Sequence, residues 1–305
     1  MTSRPIRMTL AALIPLLLVI SACTSDSSDG AAGDSLPAVK IGIQDFPESK
    51  VLANLYGTAL AEEGFDVSYK ELGGYRDILY ASFKSGDVNF TLDYASSALE
   101  FLNKQAGEAS PDIDKVMPLL NTQLTKLGLQ SFDPAKAVDS NAFVVTKETA
   151  ESKNLTSLSD LTPDLRLGGF ADCPTNPFCI PGIKELYGVD LSAHFVAQDG
   201  GDLTKTTLKG KKIDVAVLTT TDPAIAENGW VVLTDDKGLI NADNIVPVLS
   251  DALARAGGTT LKDRVNKISA ALTTKDLTEL NRLFVVDKED ADQIAEDWLS
   301  DNGFR

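Results

Sequence analysis

Short apolar runs alternate with amphipathic stretches through the first part of the chain. Residues 39–44, 65–72 and 88–92 are apolar runs of strand length, and the segments between them repeat apolar residues at helical spacing. Strand, helix, strand, helix, strand is the order of a parallel sheet covered by helices. Further helices are predicted at 96–104 and 113–126.

The same alternation starts again near residue 139. Predicted strands lie at 142–146, 165–168, 194–197, 213–217 and 230–233, with helices at 182–187, at 203–209 and from Pro223. An extended segment follows at 244–248, and the predicted elements after it are helices at 260–272, 275–284 and 289–301.

This order predicts an α/β protein of two lobes. We infer that residues 38–140 and 246–305 form lobe 1 and that residues 141–245 form lobe 2. Each lobe is expected to be a mainly parallel sheet flanked by helices, and two crossing segments would act as a hinge that closes a cleft on a ligand.

Two of the predicted strands occupy equivalent places in the two lobes. The runs 88–92 and 213–217 each follow a helix and a glycine. Because ligands of open α/β sheets bind beyond the carboxyl ends of the strands, the residues that follow, Asp93-Tyr94 and Thr219-Thr220, are predicted to face a solute.

Four aromatic residues also follow predicted strands. They are Phe46, Tyr75, Tyr94 and Phe170. Any one of these rings alone would more often serve core packing, but their common place after strands favours a site in which the ring faces hold a cation.

The amino terminus has the pattern of a secretory signal. Arg4 and Arg7 precede an apolar run at 8–20 and then Ser21-Ala22-Cys23. The segment resembles a bacterial lipobox, which implies a signal peptide at 1–22, cleavage before Cys23 and lipid on its sulfur; a plain secretory signal is the alternative. Residues 23–37 are expected to form a flexible tether, which would hold the protein on the outer face of the cell membrane.

Charge and cysteine content narrow the possible functions. A formal net charge of −16 argues against a nucleic-acid partner. Outside the cytoplasm, Cys173 and Cys179 favour a disulfide. The single histidine, His194, leaves His-based catalytic and metal sites without their parts, and no nucleotide-binding glycine motif is present, so we expect no cofactor and no metal.

Several longer stretches resemble one family. They are GIQDFPES at 42–49, KSGDVNFTLDYASSAL at 84–99, DSNAFVVTKETA at 139–150, IPGIKELYG at 180–188, LTKTTLKGKKIDVAVLTTTD at 203–222 and NIVPV at 244–248. They resemble the solute-binding lipoproteins of ABC importers for glycine betaine, choline and related osmoprotectants. The resemblance implies a two-lobed type II periplasmic-binding-protein fold and a monomer that delivers a small solute to a permease and an ATPase.

The resemblance also suggests ligand positions. Tyr94 stands where the family has a cage tyrosine, Ser97 where it has a nearby hydroxyl, and Asp139 matches an acid before the hinge. Asn141, Ile180 and Thr219 stand where many members have other cage tyrosines, and Gln44 where some have a lysine that contacts a carboxylate. The predicted ligand-binding residues are Gln44, Asp45, Phe46, Tyr75, Tyr94, Ser97, Asp139, Asn141, Phe170, Thr219 and Thr220.

The expected function is therefore capture of a small organic solute, with glycine betaine or choline as the leading class. Because three of the cage positions carry non-aromatic residues, a different solute, uncharged or aromatic, is the alternative. Two other classes stay open: a secreted enzyme with Asp93 or Asp222 as acid or base, and an adhesive lipoprotein without a transport role.

Overall fold

The computed structural model describes residues 36–305. The predicted signal peptide at 1–22, the lipidation of Cys23 and most of the predicted tether lie outside the described residues. Within this range, ten strands form two sheets of five. In chain order they are β1 (Val39–Ile43), β2 (Val67–Glu71), β3 (Phe90–Tyr94), β4 (Leu129–Ser131), β5 (Asn141–Val145), β6 (Leu167–Phe170), β7 (Val196–Gln198), β8 (Val215–Thr219), β9 (Val231–Val232) and β10 (Ile245–Ser250).

Helices connect and cover these strands. They are α1 (Pro47–Glu62), α2 (Arg76–Ser85), α3 (Ala95–Leu102), α4 (Ile113–Thr125), α5 (Lys147–Lys153), α6 (Ile180–Gly182), α7 (Asp202–Lys209), α8 (Ala224–Glu227), α9 (Asp251–Ala271), α10 (Thr274–Arg282) and α11 (Ala291–Asp301). In this part of the chain, none of them is both long and apolar enough to cross a bilayer.

The two sheets have matching topologies. The first has the order β2-β1-β3-β10-β4 and the second the order β7-β6-β8-β5-β9. Four strands of each sheet run in one direction; β10 is antiparallel to β3 and β4, and β5 is antiparallel to β8 and β9. The expectation of two mainly parallel sheets is therefore confirmed. In each sheet, the reversed strand is the first strand after the chain has passed over from the other sheet.

Alternating side chains divide each sheet into two apolar faces. Along β10, Ile245 and Leu249 pack with α1, α9, α10 and α11, whereas Val246 and Val248 pack with α3 and α4. Arg305 at the chain end pairs with Glu62 of α1 at 2.5 Å. The carboxyl-terminal helices therefore cover the same sheet that β1 begins.

The second sheet has its own apolar layers. Phe143 and Val145 of β5 face one cluster, and Ala142 and Val144 face another. Every residue of these two clusters falls between 142 and 239, and every residue of the first sheet's clusters falls outside that span. Each sheet thus has a separate core.

Two antiparallel segments connect the sheets. Val138 and Asn244 form an isolated bridge, and the amide of Asp139 donates to the carbonyl of Asp243 at 3.0 Å. The hydroxyl of Ser140 donates to the carbonyl of Asn241 at 2.7 Å. Because the crossings bond to each other, they would bend as a pair.

Some element bounds differ from the sequence-based prediction. β3 and β8 begin and end two residues later than predicted, so Asp93-Tyr94 and Thr219 are the last strand residues rather than the first loop residues. Asp93 can lie in a buried strand because Arg76 pairs with its carboxylate at 2.8 Å. The short β4 and the polar helix α5 were not predicted.

A kink at Gly258, with φ 54° and ψ −146°, divides α9 into two helical parts. The second part matches the predicted helix at 260–272 to within one residue at each end, whereas the first part, which begins at Asp251 after a Ser250 cap, was not predicted. Only glycine adopts the backbone conformation of Gly258 without strain.

Candidate ligand-binding site

A cavity of about 470 Å³ lies between the two sheets, and we call it the cleft. It is lined by residues from both sheets and from both crossings. Nine of the predicted ligand-binding residues line it: Gln44, Phe46, Tyr75, Tyr94, Ser97, Asp139, Asn141, Phe170 and Thr219.

Strand ends place these side chains. Tyr94, Phe170 and Thr219 are the last residues of β3, β6 and β8. Asn141 is the first residue of β5, yet it pairs with Thr219 because β5 runs in the opposite direction. The carboxyl edge of each sheet thus meets the cleft, as the topology rule predicts.

Two predicted residues lie elsewhere. Asp45 borders an adjoining groove together with Lys50 and Glu71. The Thr220 hydroxyl accepts from the Ser140 amide at 3.1 Å and donates to the Val138 carbonyl at 3.2 Å. Thr220 therefore fastens the end of β8 to a crossing.

Aromatic rings form one wall of the cleft. Phe46 stacks on Tyr75 with 6.5 Å between ring centroids and lies 6.0 Å from Tyr94. Tyr75 is 61% exposed at the rim, whereas Tyr94 is 7% exposed. Phe170 approaches from the second sheet against Gly200, where an added Cβ would lie 2.3 Å from the ring. Gly200 is therefore needed for Phe170 to take this position.

Glu48 lies at the bottom of this wall and was not predicted as a site residue. It is buried in the first turn of α1. Its Oε1 accepts from the Tyr94 hydroxyl at 2.5 Å, and its Oε2 accepts from the Asn281 amide and, at 2.8 Å, from the Thr221 hydroxyl. Tyr94 is thus held by its hydroxyl, with its ring along the cleft.

Asp139 lies on the other side of Thr221. Its Oδ1 accepts from the Thr221 amide at 3.1 Å and lies 2.7 Å from the Thr221 hydroxyl. One hydroxyl therefore lies between two carboxyl groups, the buried Glu48 of α1 and the half-buried Asp139 of a crossing.

Burial raises the pKa of Glu48, although the hydrogen bonds from Tyr94, Asn281 and Thr221 oppose the rise. Burial and then the nearby charge of Glu48 raise the pKa of Asp139 well above its ordinary value. Both carboxyl groups thus favour the protonated form more than an exposed acid does.

Among the described residues that line the cleft, two side chains are cationic, and each is paired with a carboxylate. Arg76 binds Asp93 through two guanidinium nitrogens at 2.8 and 2.9 Å, with its guanidinium carbon 5.8 Å from the centre of the Tyr94 ring. Lys205 pairs with Asp202 at 3.2 Å and with Asp222 at 3.3 Å.

A further acid, Asp243, lies on the second crossing, next to Asp139. Asp243 accepts from the amide and the hydroxyl of Ser97, each at 2.8 Å, and its burial raises its pKa. Ser97 therefore positions Asp243, in addition to lining the cleft.

Two buried polar atoms at the cleft have no hydrogen-bond partner among residues 36–305. They are Nε2 of Gln44 and Oδ1 of Asn281, and both side chains line the cleft. Both atoms are enclosed by protein, so their missing partners are a feature of the packing beside the cleft.

Several lining residues were missed because their sequence context suggested other roles. Glu48 fits the favourable charge of a helix start, and Asn281 lies far along the chain in a polar helix. The missed residues are Pro47, Glu48, Arg76, Asp199, Gly200, Gly201, Lys205, Thr221, Asp222, Pro223, Asp243, Asn281 and Val285. No local pattern in the sequence identifies them, because tertiary contacts bring them together.

The cysteines and the histidine lie away from this wall. Cys173 and Cys179 are joined as a disulfide with their Cα atoms 5.2 Å apart. His194 ends an exposed single turn, Ser192–His194. Between residues 36 and 305, no group of three or more His, Cys, Asp or Glu side chains is arranged to hold a metal ion.

Comparison with known proteins gives consistent matches. Residues 37–301 match the family described as the substrate binding domain of ABC-type glycine betaine transport system. The chain is 24% identical over 281 residues to the glycine betaine-binding protein YehZ of Escherichia coli (strain K12), covering 87% of this chain and 91% of the relative. It is 23% identical over 301 residues to the carnitine transport binding protein OpuCC of Listeria monocytogenes serotype 1/2a (strain 10403S), covering 96% of each.

A solved structure agrees. The crystal structure of a glycine betaine/carnitine/choline ABC transporter is 26% identical, with a TM-score of 0.76, and the match covers 87% of this chain and 99% of that one. The likeness confirms the two-lobed type II periplasmic-binding-protein fold expected from the sequence.

Proposed function

The chain belongs to the family of substrate-binding domains of ABC-type glycine betaine transport systems, and on this premise we propose that its cleft captures a quaternary-ammonium solute of the betaine, carnitine or choline class. The family is a non-enzymatic component of importers, so the alternative in which Asp93 or Asp222 acts as acid or base is set aside. The solute-bound protein would then deliver the solute to a permease and its ATPase.

One observation carries the choice of solute class. The aromatic wall of Phe46, Tyr75 and Tyr94 lies beside two carboxyl groups, the buried Glu48 and the half-buried Asp139. Ring faces and carboxylates both stabilise a bulky cation, and a hydrophobic wall suits its methyl groups. A neutral aromatic solute would gain nothing from the two acids.

The relatives support the same class. The names of the similar proteins mention glycine betaine, carnitine and choline. Because the identities are about a quarter or lower, the names indicate a class and leave the individual solute to be measured.

Isothermal titration calorimetry against betaine, carnitine, choline and a set of uncharged solutes tests this proposal. Tyr94→Ala should weaken solute binding by about twofold to thirtyfold, since a ring face contributes about 0.5 to 2 kcal/mol to the binding of a desolvated cation. Tyr69→Ala is a matched control, because Tyr69 lies on β2 outside the cleft. Binding of an uncharged solute alone, or equal losses in both variants, would contradict the proposal.

We also propose that residues 38–140 with 246–305, and residues 141–245, are the two lobes that close on the solute. The support is that the apolar clusters of the two sheets share no residue and that two bonded crossings connect them. Such paired crossings allow hinge closure.

The lipobox-like segment supports a membrane anchor. We propose that Cys23 carries the lipid and that the mature protein acts on the outer face of the cell membrane, attached through residues 23–37. Labelling with a radioactive fatty acid should mark the wild-type protein, and Cys23→Ala should remove the label. A Cys23→Ala protein that keeps the label would exclude this anchor.

A further inference from the structure

The Thr221 hydroxyl contacts two carboxyl groups but has only one hydrogen to donate. Its oxygen lies 2.8 Å from Oε2 of Glu48 and 2.7 Å from Oδ1 of Asp139, which are both hydrogen-bond distances. A hydroxyl has one hydrogen and can donate to only one of them. If both carboxyl groups were ionised, the other contact would bring two electron-rich oxygens together without a hydrogen. A proton on one carboxyl group solves this, because that group then donates to the hydroxyl oxygen.

The charges around the pair point the same way. From β3, the Tyr94 hydroxyl faces Glu48, and from α10 the Asn281 amide faces it; both are neutral. Arg76 of α2 is the cation near Tyr94, but its guanidinium is bound to Asp93. Within the described part of the chain, neither Glu48 nor Asp139 has an ion-pair partner, so a second negative charge there would be buried without compensation.

The other charged side chains that line the cleft are mostly acidic. Asp199, Asp222 and Asp243 also border the cleft, and Lys205 is bound between Asp202 and Asp222. A solute with a positive charge and no carboxylate therefore fits this lining better than one that carries a carboxylate.

We infer that Glu48 and Asp139 share one proton across the Thr221 hydroxyl and release it to solvent when the positive end of a solute binds beside them, so that capture of a cation is coupled to proton release. This inference rests on the proposed function. A cation next to the pair stabilises both charges, so the second carboxyl group ionises and its proton passes to the buffer.

Choline is the probe that tests the coupling. Calorimetry in phosphate and in Tris, which differ in ionisation enthalpy, gives the number of protons released, and we expect about one per choline bound near neutral pH. The association constant should rise by about tenfold per pH unit while the pair still holds its proton. The uncharged carbon isostere of choline should bind at least about tenfold more weakly and release no proton.

The variants separate this role from a structural one. Glu48→Gln and, as a second variant in case the first does not fold, Asp139→Asn keep the size of the side chain and remove one acid, so proton release should fall to near zero and the pH dependence should flatten. Glu227→Gln on exposed α8 lies outside the cleft and should keep the wild-type proton release.

The outcomes distinguish the two proposals. If choline or betaine binds without proton exchange, or if Glu48→Gln and Asp139→Asn both keep the wild-type proton release, the coupling is wrong and the proposed function stands. If no quaternary-ammonium solute binds, the proposed function fails and the coupling fails with it.

Discussion

At the scale of single residues, the cleft is built from buried polar groups that depend on one another. Glu48 positions the Tyr94 ring through a hydroxyl, and Thr221 connects Glu48 to Asp139. Arg76 is held by Asp93, so its charge faces the cleft at a fixed place. Each of these groups would be costly to bury alone, and together they form the polar floor under an aromatic wall.

The carboxyl pair should make the stability of the solute-free protein depend on pH. In the folded state, burial raises the pKa of Glu48 above 4.5 and that of Asp139 well above 3.8, their ordinary values. The folded state therefore keeps a proton that the unfolded state has lost, so the free energy of unfolding should fall as the pH rises from about 5 to about 8. Urea denaturation across this range measures the effect.

The same series on Glu48→Gln gives the control. Its free energy of unfolding should fall less over the same pH range, because one of the two interacting acids is gone. Equal pH dependence in both proteins would mean that other groups cause it.

The ion pair under the cleft should matter for stability. Asp93→Asn leaves the largely buried Arg76 guanidinium without its counter-charge, and we expect a loss of about 2 to 3 kcal/mol in the free energy of unfolding, because Arg76 keeps some exposure. Asp77→Asn in the exposed first turn of the same helix should change it by less than about 0.5 kcal/mol. Similar losses for the two variants, measured by urea denaturation, would contradict this.

Much of the site could be predicted from the sequence, but its floor could not. Tyr94, Phe170 and Thr219 follow from the rule that ligands lie at the carboxyl ends of strands. Glu48 and Asn281 are polar residues in helices, and only the fold shows that both face the same buried point. Glu48 and Asn281 are 233 residues apart in the chain, so their contact depends on tertiary packing and not on any local spacing of residues.

At the scale of elements, the alternation of apolar runs and helical periodicity predicts most strands and helices to within two residues. The exceptions have physical reasons. β4 is three residues long and pairs only with β10, so it has too few residues for a pattern. α5 has no buried residue and thus no apolar face to detect. The reversal of β5 and β10 depends on tertiary pairing, which hydrophobic periodicity does not reveal.

Gly258 gives a test at this scale. Its φ of 54° and ψ of −146° lie in a region almost restricted to glycine, and a Cβ there would meet no atom within 4 Å. Gly258→Ala should therefore lower the free energy of unfolding by about 1 to 3 kcal/mol through backbone strain alone. The exposed neighbour Thr259→Ala is the control and should have almost no effect. A neutral Gly258→Ala in urea denaturation would show that the helix can straighten at no cost.

At the scale of the whole molecule, two sheets with separate cores meet along one cleft. Besides the crossings, the bond from Thr221 to Glu48 joins the loop that follows β8 of the second sheet to helix α1, which covers the first sheet. We expect such a bond to favour the closed arrangement even without solute, because a buried carboxyl group that loses a donor on opening must be rehydrated.

Thr221→Val keeps the shape of this side chain and removes its hydroxyl. The solute-free variant should populate more open forms, so its radius of gyration in small-angle X-ray scattering should exceed that of the wild type and should fall when solute is added. Thr206→Val, on the exposed face of α7, should scatter like the wild type. An unchanged radius for Thr221→Val would mean that the crossings alone set the degree of closure.

The positions of β1 and of Arg305 have a practical consequence. β1 starts the first sheet, and Arg305 pairs with Glu62 on α1 beside that same sheet. Fluorescent proteins attached directly before β1 and after Arg305 would lie on the same half of the molecule, that of the first sheet, and would report almost no change in energy transfer. A working biosensor needs one fluorophore inserted in the other half, for example at the exposed turn of Asn228 and Gly229.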